Sequence, residues 1–148
     1  MSGHGGGAGW AAHALEVLDR AGHRRGGARS AVIDALAANG CAVSALELDD
    51  RLRESGRRVG RASVYRALEQ LAELGLVQRL DLGTETARYE RTSPGGEHHH
   101  HRVCDTCGKV LPFEDPALER AVSRISGGRG FEVREHEVVL HGACGTCR

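Results

Sequence analysis

Four cysteines arranged in two pairs constrain this chain more than any other feature. Cys104 and Cys107 follow a run of histidines in the segment GEHHHHRVCDTCGKV, and Cys144 and Cys147 form a second pair with the same spacing. A Cys-x-x-Cys turn places both sulfur atoms on one side, so two pairs supply the four ligands of a closed, tetrahedral Zn²⁺ site. The sequence therefore predicts a structural zinc ion that holds the second pair against the strand after the histidines. A redox-active dithiol would need a βαβ context, which the pattern does not indicate.

The cysteine count also favours metal over disulfides. Five cysteines is an odd number, and Cys41 stands apart from both pairs. The N-terminal segment MSGHGGGAG has neither the charged start nor the apolar run of a secretory signal, and no apolar stretch reaches membrane-spanning length. We therefore expect a cytoplasmic protein with no membrane association, whose paired cysteines bind metal.

The four consecutive histidines, His98 to His101, predict two groups of ligands. In an extended strand, successive side chains point to opposite faces, so His98 and His100 would lie on one face and His99 and His101 on the other. Carboxylates and imidazoles elsewhere can complete such groups, namely Glu90, Glu119 and His136. These ligand types suit Zn, Fe, Ni or Mn. The alternative is a solvated histidine run on a loop.

Residues 10–91 show the pattern of a winged helix-turn-helix domain. Apolar residues recur at helical spacing in four segments, over residues 10–22, 29–40, 44–56 and 60–75. Ser44 and Glu47 have the spacing of a capping box. Residues 76–91 alternate as a hairpin with a turn at 83–85, which predicts a two-stranded wing. The link from Gly56 to Gly60 supplies the turn of the helix-turn-helix.

The second half predicts a small mixed α/β unit. Strands are expected before and after the first cysteine pair, and residues 131–142 predict one or two more. Asp115 and Pro116 mark the start of a helix over residues 115–126. The whole chain is thus predicted to be α+β, an N-terminal winged helix followed by a small α/β unit with a tetracysteine zinc site. The expected divisions are a flexible Gly-rich tail (1–9), the winged helix (10–91), a hinge (92–97) and the metal-binding unit (98–148).

The motifs together resemble those of the ferric-uptake-regulator superfamily of bacterial metalloregulators. The resemblance runs from about Ala28 to Cys147. It rests on HHHHRVCDTCGKV, on FED and LER, on HEVVLHGACGTC, and on ASVYRALEQLAELGLV, which looks like the recognition helix. It implies a homodimeric, metal-dependent DNA-binding repressor with three kinds of metal position, in which residues 98–148 form the metal-binding dimerisation domain.

The resemblance implies a ligand set for each metal position. The structural zinc corresponds to Cys104, Cys107, Cys144 and Cys147. The dimerisation-domain site corresponds to His98, His100, Glu119 and His136. The hinge site, where a regulatory metal joins the two domains, corresponds to Glu90, His99 and His101.

Several hinge ligands of the family are replaced in this chain. Other residues stand where iron-type or zinc-type members carry a ligand, at Ala42, Gln78, Thr92 and Pro112. Cys41 or Asp81 is a candidate for a non-standard fourth ligand. For the second divalent metal, the ligand set favours Zn²⁺ over Fe²⁺, Ni²⁺ or Mn²⁺.

Charge distribution predicts where DNA would bind. Net charge is zero, with 20 basic and 20 acidic residues, but six arginines against one acid lie between Arg51 and Arg66. Such a local basic surface attracts phosphate. Phosphate contacts are expected from Arg29, Arg57 and Arg58. Contacts from the recognition helix in the major groove are expected from Arg61, Ser63, Tyr65 and Arg66.

The leading hypothesis is therefore a metal-dependent transcriptional repressor, not an enzyme. Metal at the hinge and dimerisation domain would set a homodimer competent to bind an inverted-repeat operator in double-stranded DNA. The alternative is a metal storage or delivery protein that uses the His-rich segment, for which a basic recognition helix is not required. A zinc hydrolase is disfavoured because the sequence has no HExxH motif and no oxyanion device.

Overall fold

The computed structural model describes residues 6–24, 26–39, 42–83, 86–92, 99–127 and 130–148. The chain divides into two compact units, Met1–Glu97 and His98–Arg148. Of the predicted hinge, only Thr92 is among the described residues. No helix among the described residues is long and apolar enough to cross a bilayer.

The first unit contains four helices and a three-stranded antiparallel sheet in the order β1-β3-β2. The helices are α1 (Gly6–Arg20), α2 (Gly27–Ala38), α3 (Ala45–Glu54) and α4 (Arg61–Glu73). The strands are β1 (Val43–Ser44), β2 (Val77–Leu80) and β3 (Arg88–Arg91).

Local signals set the ends of these helices. The Ser44 side chain accepts a hydrogen bond of 3.1 Å from the Glu47 backbone N–H, which caps α3. Gly56 and Gly75 have φ of +79° and +71°, the left-handed conformation that ends α3 and α4 at little steric cost. The predicted capping box is modified, because the Glu47 carboxylate accepts a bond of 2.9 Å from Arg88 Nη1 on β3.

The core of the first unit lies between the helices and the wing. Val64, Leu68 and Leu71 are fully buried on the inner face of α4, as their spacing predicts. Trp10 of α1 packs into the same cluster, and its indole Nε1–H donates to the Leu76 carbonyl at 3.0 Å. Burial of this apolar stripe fixes which face of α4 remains exposed.

The structure corrects two expectations for the first unit. The predicted tail 1–9 is wrong for residues 6–9, which belong to α1, while residues 1–5 lie outside the described part. The wing has three strands because β1, too short to show a period, pairs with β3 through Val43↔Tyr89. Both features depend on contacts distant in sequence.

The second unit is a three-stranded sheet with one helix. Its elements are β4 (His100–Cys104), β5 (Val110–Phe113), α5 (Pro116–Ser126) and β6 (Val139–Gly142). β4 is central, antiparallel to β5 and parallel to β6. Asp115 caps α5 as predicted, since its Oδ1 accepts from the N–H groups of Ala117 and Leu118 at 2.8 and 3.2 Å.

The second unit buries few apolar side chains. Among its described residues, only five are buried, and all lie on the paired strands β4 and β5: His100, His101, Val103, Cys104 and Val110. Helix α5 has no buried residue, and Ile125 and Phe131 are 76% and 71% exposed. The hydrophobic cluster of the chain lies within the first unit.

The packing of α1 against α2 gives a stability prediction. A Cβ at Gly7 would lie 2.3 Å from the Ala37 carbonyl oxygen, whereas a Cβ at Gly9 meets nothing within 4 Å. We expect Gly7→Ala to destabilise the protein by about 1–3 kcal/mol through overpacking. The matched control Gly9→Ala should stabilise by about 0.5–1 kcal/mol, because alanine is the better helix former. Urea unfolding followed by circular dichroism measures both, and equal stabilisation by the two variants would contradict this packing of α1.

Candidate functional site

The four paired cysteines form one cluster at the end of the second sheet. Their Sγ atoms lie within 4.8 Å of one another, and the Sγ atoms of Cys107 and Cys144 are 3.8 Å apart. Cys104 ends β4, and its parallel pairing with Gly142 of β6 delivers the second pair to the first. Two sulfurs bound tetrahedrally to one zinc at about 2.3 Å are separated by about 3.8 Å. The cysteine cluster therefore fits a closed Zn²⁺ site.

Backbone hydrogen bonds favour thiolate at this cluster. The Cys144 N–H donates to Cys104 Sγ at 3.3 Å, and this is the largest cause that lowers the pKa of Cys104 to about 6. The Thr146 backbone similarly lowers the pKa of Cys144. The hydrogen bond that Cys147 shares with Cys144 is the largest cause that raises the pKa of Cys147 to about 12. Four thiolates placed so closely require a cation, since like charges at these distances oppose ionisation.

A second cluster joins β4, α5 and the segment before β6. His100 Nε2 lies 2.6 Å from Glu119 Oε1, and His136 Nε2 lies 2.8 Å from Glu119 Oε2. The three side chains can each offer a ligand atom within 4.8 Å of the others. The structure thus brings together three of the four residues predicted for the dimerisation-domain site, and the fourth, His98, lies outside the described residues.

The electrostatics of this second cluster keep Glu119 ionised. The hydrogen bond from His100 is the largest cause that lowers the pKa of Glu119, and the bond from His136 adds to it, while burial works in the opposite direction. His100 itself is fully buried, and its Nδ1 accepts a hydrogen bond of 3.0 Å from the Val138 N–H. Two imidazoles sharing one carboxylate suit a divalent transition metal.

His99 and His101 stand together at the start of β4. Their ring centroids are 5.1 Å apart, and His101 is 2% exposed. Glu90, the third residue predicted for the hinge site, lies on β3 of the first unit, where it pairs with Gln78. Its participation with His99 and His101 stays a prediction from the sequence.

The positions where family ligands are replaced have other structural roles. Thr92 Oγ1 donates to the Gly75 carbonyl at 2.6 Å, and Pro112 lies on β5 opposite His101. Ala42 is buried. Asp81, a candidate for a non-standard ligand, accepts from the Gly83 N–H at 3.2 Å in the wing turn, and Cys41 lies outside the described residues.

The residues predicted to touch DNA lie on the outer side of α4 and near it. Arg61, Tyr65 and Arg66 are exposed and Ser63 is half-buried, whereas Val64 between them is buried. Arg58 is exposed in the link between α3 and α4. The structure therefore leaves three of the four predicted α4 contacts exposed.

Two of the predicted phosphate contacts also make bonds within the unit. Arg57 Nη1 lies 3.0 Å from Asp34 Oδ2. Arg29 is half-buried, with its Nε donating to Gln70 Oε1 at 2.7 Å and its Nη1 to the Arg24 carbonyl at 2.5 Å. Arg29 thus braces α2 against α4, which leaves less of its guanidinium for a phosphate.

Sequence reasoning missed Asp49, a fully buried carboxylate on α3. Its Oδ2 lies 3.3 Å from Arg53 Nη2 and 3.5 Å from Arg61 Nε. A buried charge is retained only where partners compensate it. The signal was present, because Asp49 follows Leu48 on the inward face of α3. Asp49 holds Arg61 at the start of α4.

These features define a winged-helix protein whose second unit carries two clusters of candidate metal ligands. The family model described as "Ferric uptake regulator family" matches residues 20–141, most of the chain. The chain therefore belongs to the ferric uptake regulator family, whose members are transcriptional regulators and not enzymes.

Individual relatives support this assignment. The "Ferric uptake regulation protein" of Bordetella parapertussis is 37% identical over 90 residues, which cover 61% of this chain and 63% of that relative. The matched part of this chain thus spans less than two thirds of that protein. The structure of the Vibrio cholerae ferric uptake regulator superposes with a TM-score of 0.78 at 30% identity, covering 87% of this chain and 98% of that one. The Helicobacter pylori regulator, described as having three functional metal binding sites, has a TM-score of 0.78 at 25% identity, covering 93% of each chain.

The cysteine cluster predicts a tightly held ion. We expect about one zinc per chain to survive brief treatment with EDTA, since four thiolates leave no open coordination position. Cys147→Ser should lose this zinc, whereas the control Cys41→Ser, which changes the cysteine outside both pairs, should retain it. Elemental analysis of the purified variants checks this. Zinc content that is unchanged in Cys147→Ser would contradict the assignment.

Proposed function

We propose that this protein is a metal-dependent transcriptional repressor that binds an inverted-repeat DNA operator as a homodimer in the cytoplasm. The observation that carries the proposal is the placement of metal-binding side chains on β4, with His100 directed to Glu119 and His136, and His101 following it in the strand. This strand belongs to the unit that follows a winged helix with an arginine-bearing helix.

The outer face of α4 is the proposed DNA-reading surface. Its exposed Arg61, Tyr65 and Arg66 lie in the first half of the helix, the part that recognition helices insert into the major groove. Arg57 and Arg58 in the preceding link are placed to contact phosphates, which set register. Asp49 Oδ2 lies 3.5 Å from Arg61 Nε, and this ion pair would favour one orientation of the Arg61 side chain.

Residues on the outside of the second unit support dimerisation. Ile125, Phe131 and Leu140 are exposed apolar side chains, and α5 buries none of its residues within its own chain. Apolar surface of this kind is characteristic of an interface between subunits. We infer that a second copy of the chain covers it, and that the two winged helices reach half-sites about one helical turn apart.

The histidine groups provide the proposed control by metal. Glu90, His99 and His101 would share one divalent ion at the hinge, and His98 would join His100, Glu119 and His136 at the dimerisation-domain site. In each of these two groups, the side chains would converge on the positive charge of one ion. Moving a dimer from mostly incompetent to mostly competent takes about 5.5 kcal/mol of differential affinity, within the range of three or four ligands. Zn²⁺ is the preferred second metal, ahead of Fe²⁺, Ni²⁺ and Mn²⁺.

If a metal controls DNA binding, the affinity for DNA should depend on the metal and on the histidines His99 and His101. Zinc-loaded protein should select duplexes with an inverted repeat from a random pool, and chelation should abolish binding to the selected duplex. The double variant His99→Ala/His101→Ala should still bind the selected duplex weakly after zinc is restored. The control variant His13→Ala, on the exposed side of α1, should bind the duplex as the original protein does. Fluorescence anisotropy measures this. Equal binding with and without the two histidines would remove their regulatory role.

The recognition surface gives a separate prediction. We expect Arg66→Ala to weaken binding to the selected duplex by about 1–3 kcal/mol and to relax the base preference at one position, as loss of a base contact does. Arg20→Ala, an exposed arginine at the end of α1, is the charge-matched control. Titration at constant salt distinguishes the two. Equal losses in both variants would mean that only net charge matters.

A further inference from the structure

The segment before β6 runs beside β4 and follows its alternation. The Val138 N–H donates to His100 Nδ1 at 3.0 Å, and the Val138 carbonyl accepts from the His101 N–H at 3.2 Å. His136 therefore lies on the side of His100, where it shares Glu119. The next residue, Glu137, lies instead beside His101, with its Oε1 3.8 Å from His101 Nδ1. In both segments, therefore, successive residues lie on opposite sides of the sheet: His100 and His136 on one side, His101 and Glu137 on the other.

The chemistry of metal-bound histidine gives Glu137 a role. An imidazole that binds a metal through one nitrogen almost always donates its other ring N–H to a carboxylate, a carbonyl or water, which fixes the tautomer and raises the basicity of the ligand. His101 Nδ1 is the nitrogen beside Glu137, so Nε2 is the nitrogen that would bind a metal. His101 is almost fully buried, while the Glu137 side chain is 43% exposed. The carboxylate can therefore move from water toward the ring when the ring takes up a metal.

We propose that Glu137 is the positioning residue of His101: its carboxylate accepts the Nδ1–H of the ring and so directs Nε2 to the metal. The distance of 3.8 Å between His101 Nδ1 and Glu137 Oε1 is longer than a hydrogen bond of about 2.7–3.2 Å. We expect this distance to shorten to a hydrogen bond when His101 binds a metal. Because Glu137 follows His136, it ties the geometry of the His99/His101 position to that of the His100/Glu119/His136 cluster. This inference rests on the proposed function only in taking His99 and His101 as metal ligands.

The affinity test isolates the His99/His101 position in the full-length chain. Glu119→Gln is used as the background, because it removes the shared carboxylate of the other cluster while the tetracysteine zinc is retained. Zinc affinity is then measured by competition with a chromophoric chelator. Glu137→Gln should weaken binding by about 10–100-fold, the usual effect of losing such a carboxylate partner. Glu132→Gln, an exposed carboxylate in the same segment, is the matched control and should leave the affinity unchanged.

A spectroscopic readout separates positioning from a general structural effect. In long-range ¹H–¹⁵N spectra of the zinc-loaded chain, His101 should appear as the Nδ1–H tautomer with a proton that exchanges slowly with water. That proton should exchange faster in Glu137→Gln and fastest in Glu137→Ala, and Glu137→Asp should restore part of the protection. Circular dichroism verifies that the variants are folded, as expected for a half-exposed side chain.

Each outcome decides the proposal. Unchanged zinc affinity and unchanged proton exchange in Glu137→Gln would overturn the role of Glu137. If Glu137→Gln has no effect but His101→Ala still loses the metal, the proposed function stands without a role for Glu137. Equal weakening by Glu137→Gln and Glu132→Gln would reduce the effect to net charge and would also overturn it. If His101→Ala changes neither zinc affinity nor DNA binding, the proposed regulatory site fails, and the inference fails with it.

Discussion

Strand β4 carries four of the five buried side chains among the described residues of the second unit, and three of those four are histidine or cysteine. So few buried apolar side chains contribute little to the folding free energy of a unit of this size. What holds it together must therefore come from the ligands: Glu119 joins His100 to α5 and to His136, and the cysteine cluster joins β4 to the residues after β6. The observed links are hydrogen bonds, and coordinate bonds to a metal at the same side chains would contribute far more to the folding free energy.

This constraint connects stability with the proposed regulation. The strand that ends at Cys104 of the cysteine cluster begins with His100 and His101, so candidate ligands of two clusters lie within five residues of one strand. The first unit has a conventional core around Leu36, Leu48 and Leu68 and does not share this dependence. Under the proposed function, a chain with one self-sufficient unit and one ligand-dependent unit is suited to sensing metal, because metal would act on the stability of the second unit alone.

Local patterns predict much of this structure, and contacts distant in sequence explain the rest. The helices of the first unit, the Asp115 cap and the strand at the histidines follow from periodicity and capping chemistry. The start of α1 at Gly6 does not, because it depends on packing against Ala37, and β1 depends on pairing with Tyr89. At the candidate sites, ligand chemistry and the family resemblance indicate the cysteines and Glu119. Glu137 was not predicted, since its position is set by two hydrogen bonds from Val138 to β4 in a segment with no strand period.

If metal ligands replace a hydrophobic core in the second unit, that unit should depend on zinc for its stability. Amide hydrogen exchange of zinc-loaded and zinc-stripped protein, read residue by residue, tests this most directly. We expect protection of His100–Cys104 and Val139–Gly142 to collapse when zinc is removed, while protection of α2 and α4 in the first unit is unchanged. Protection of β4 and β6 that survives the loss of zinc would contradict it.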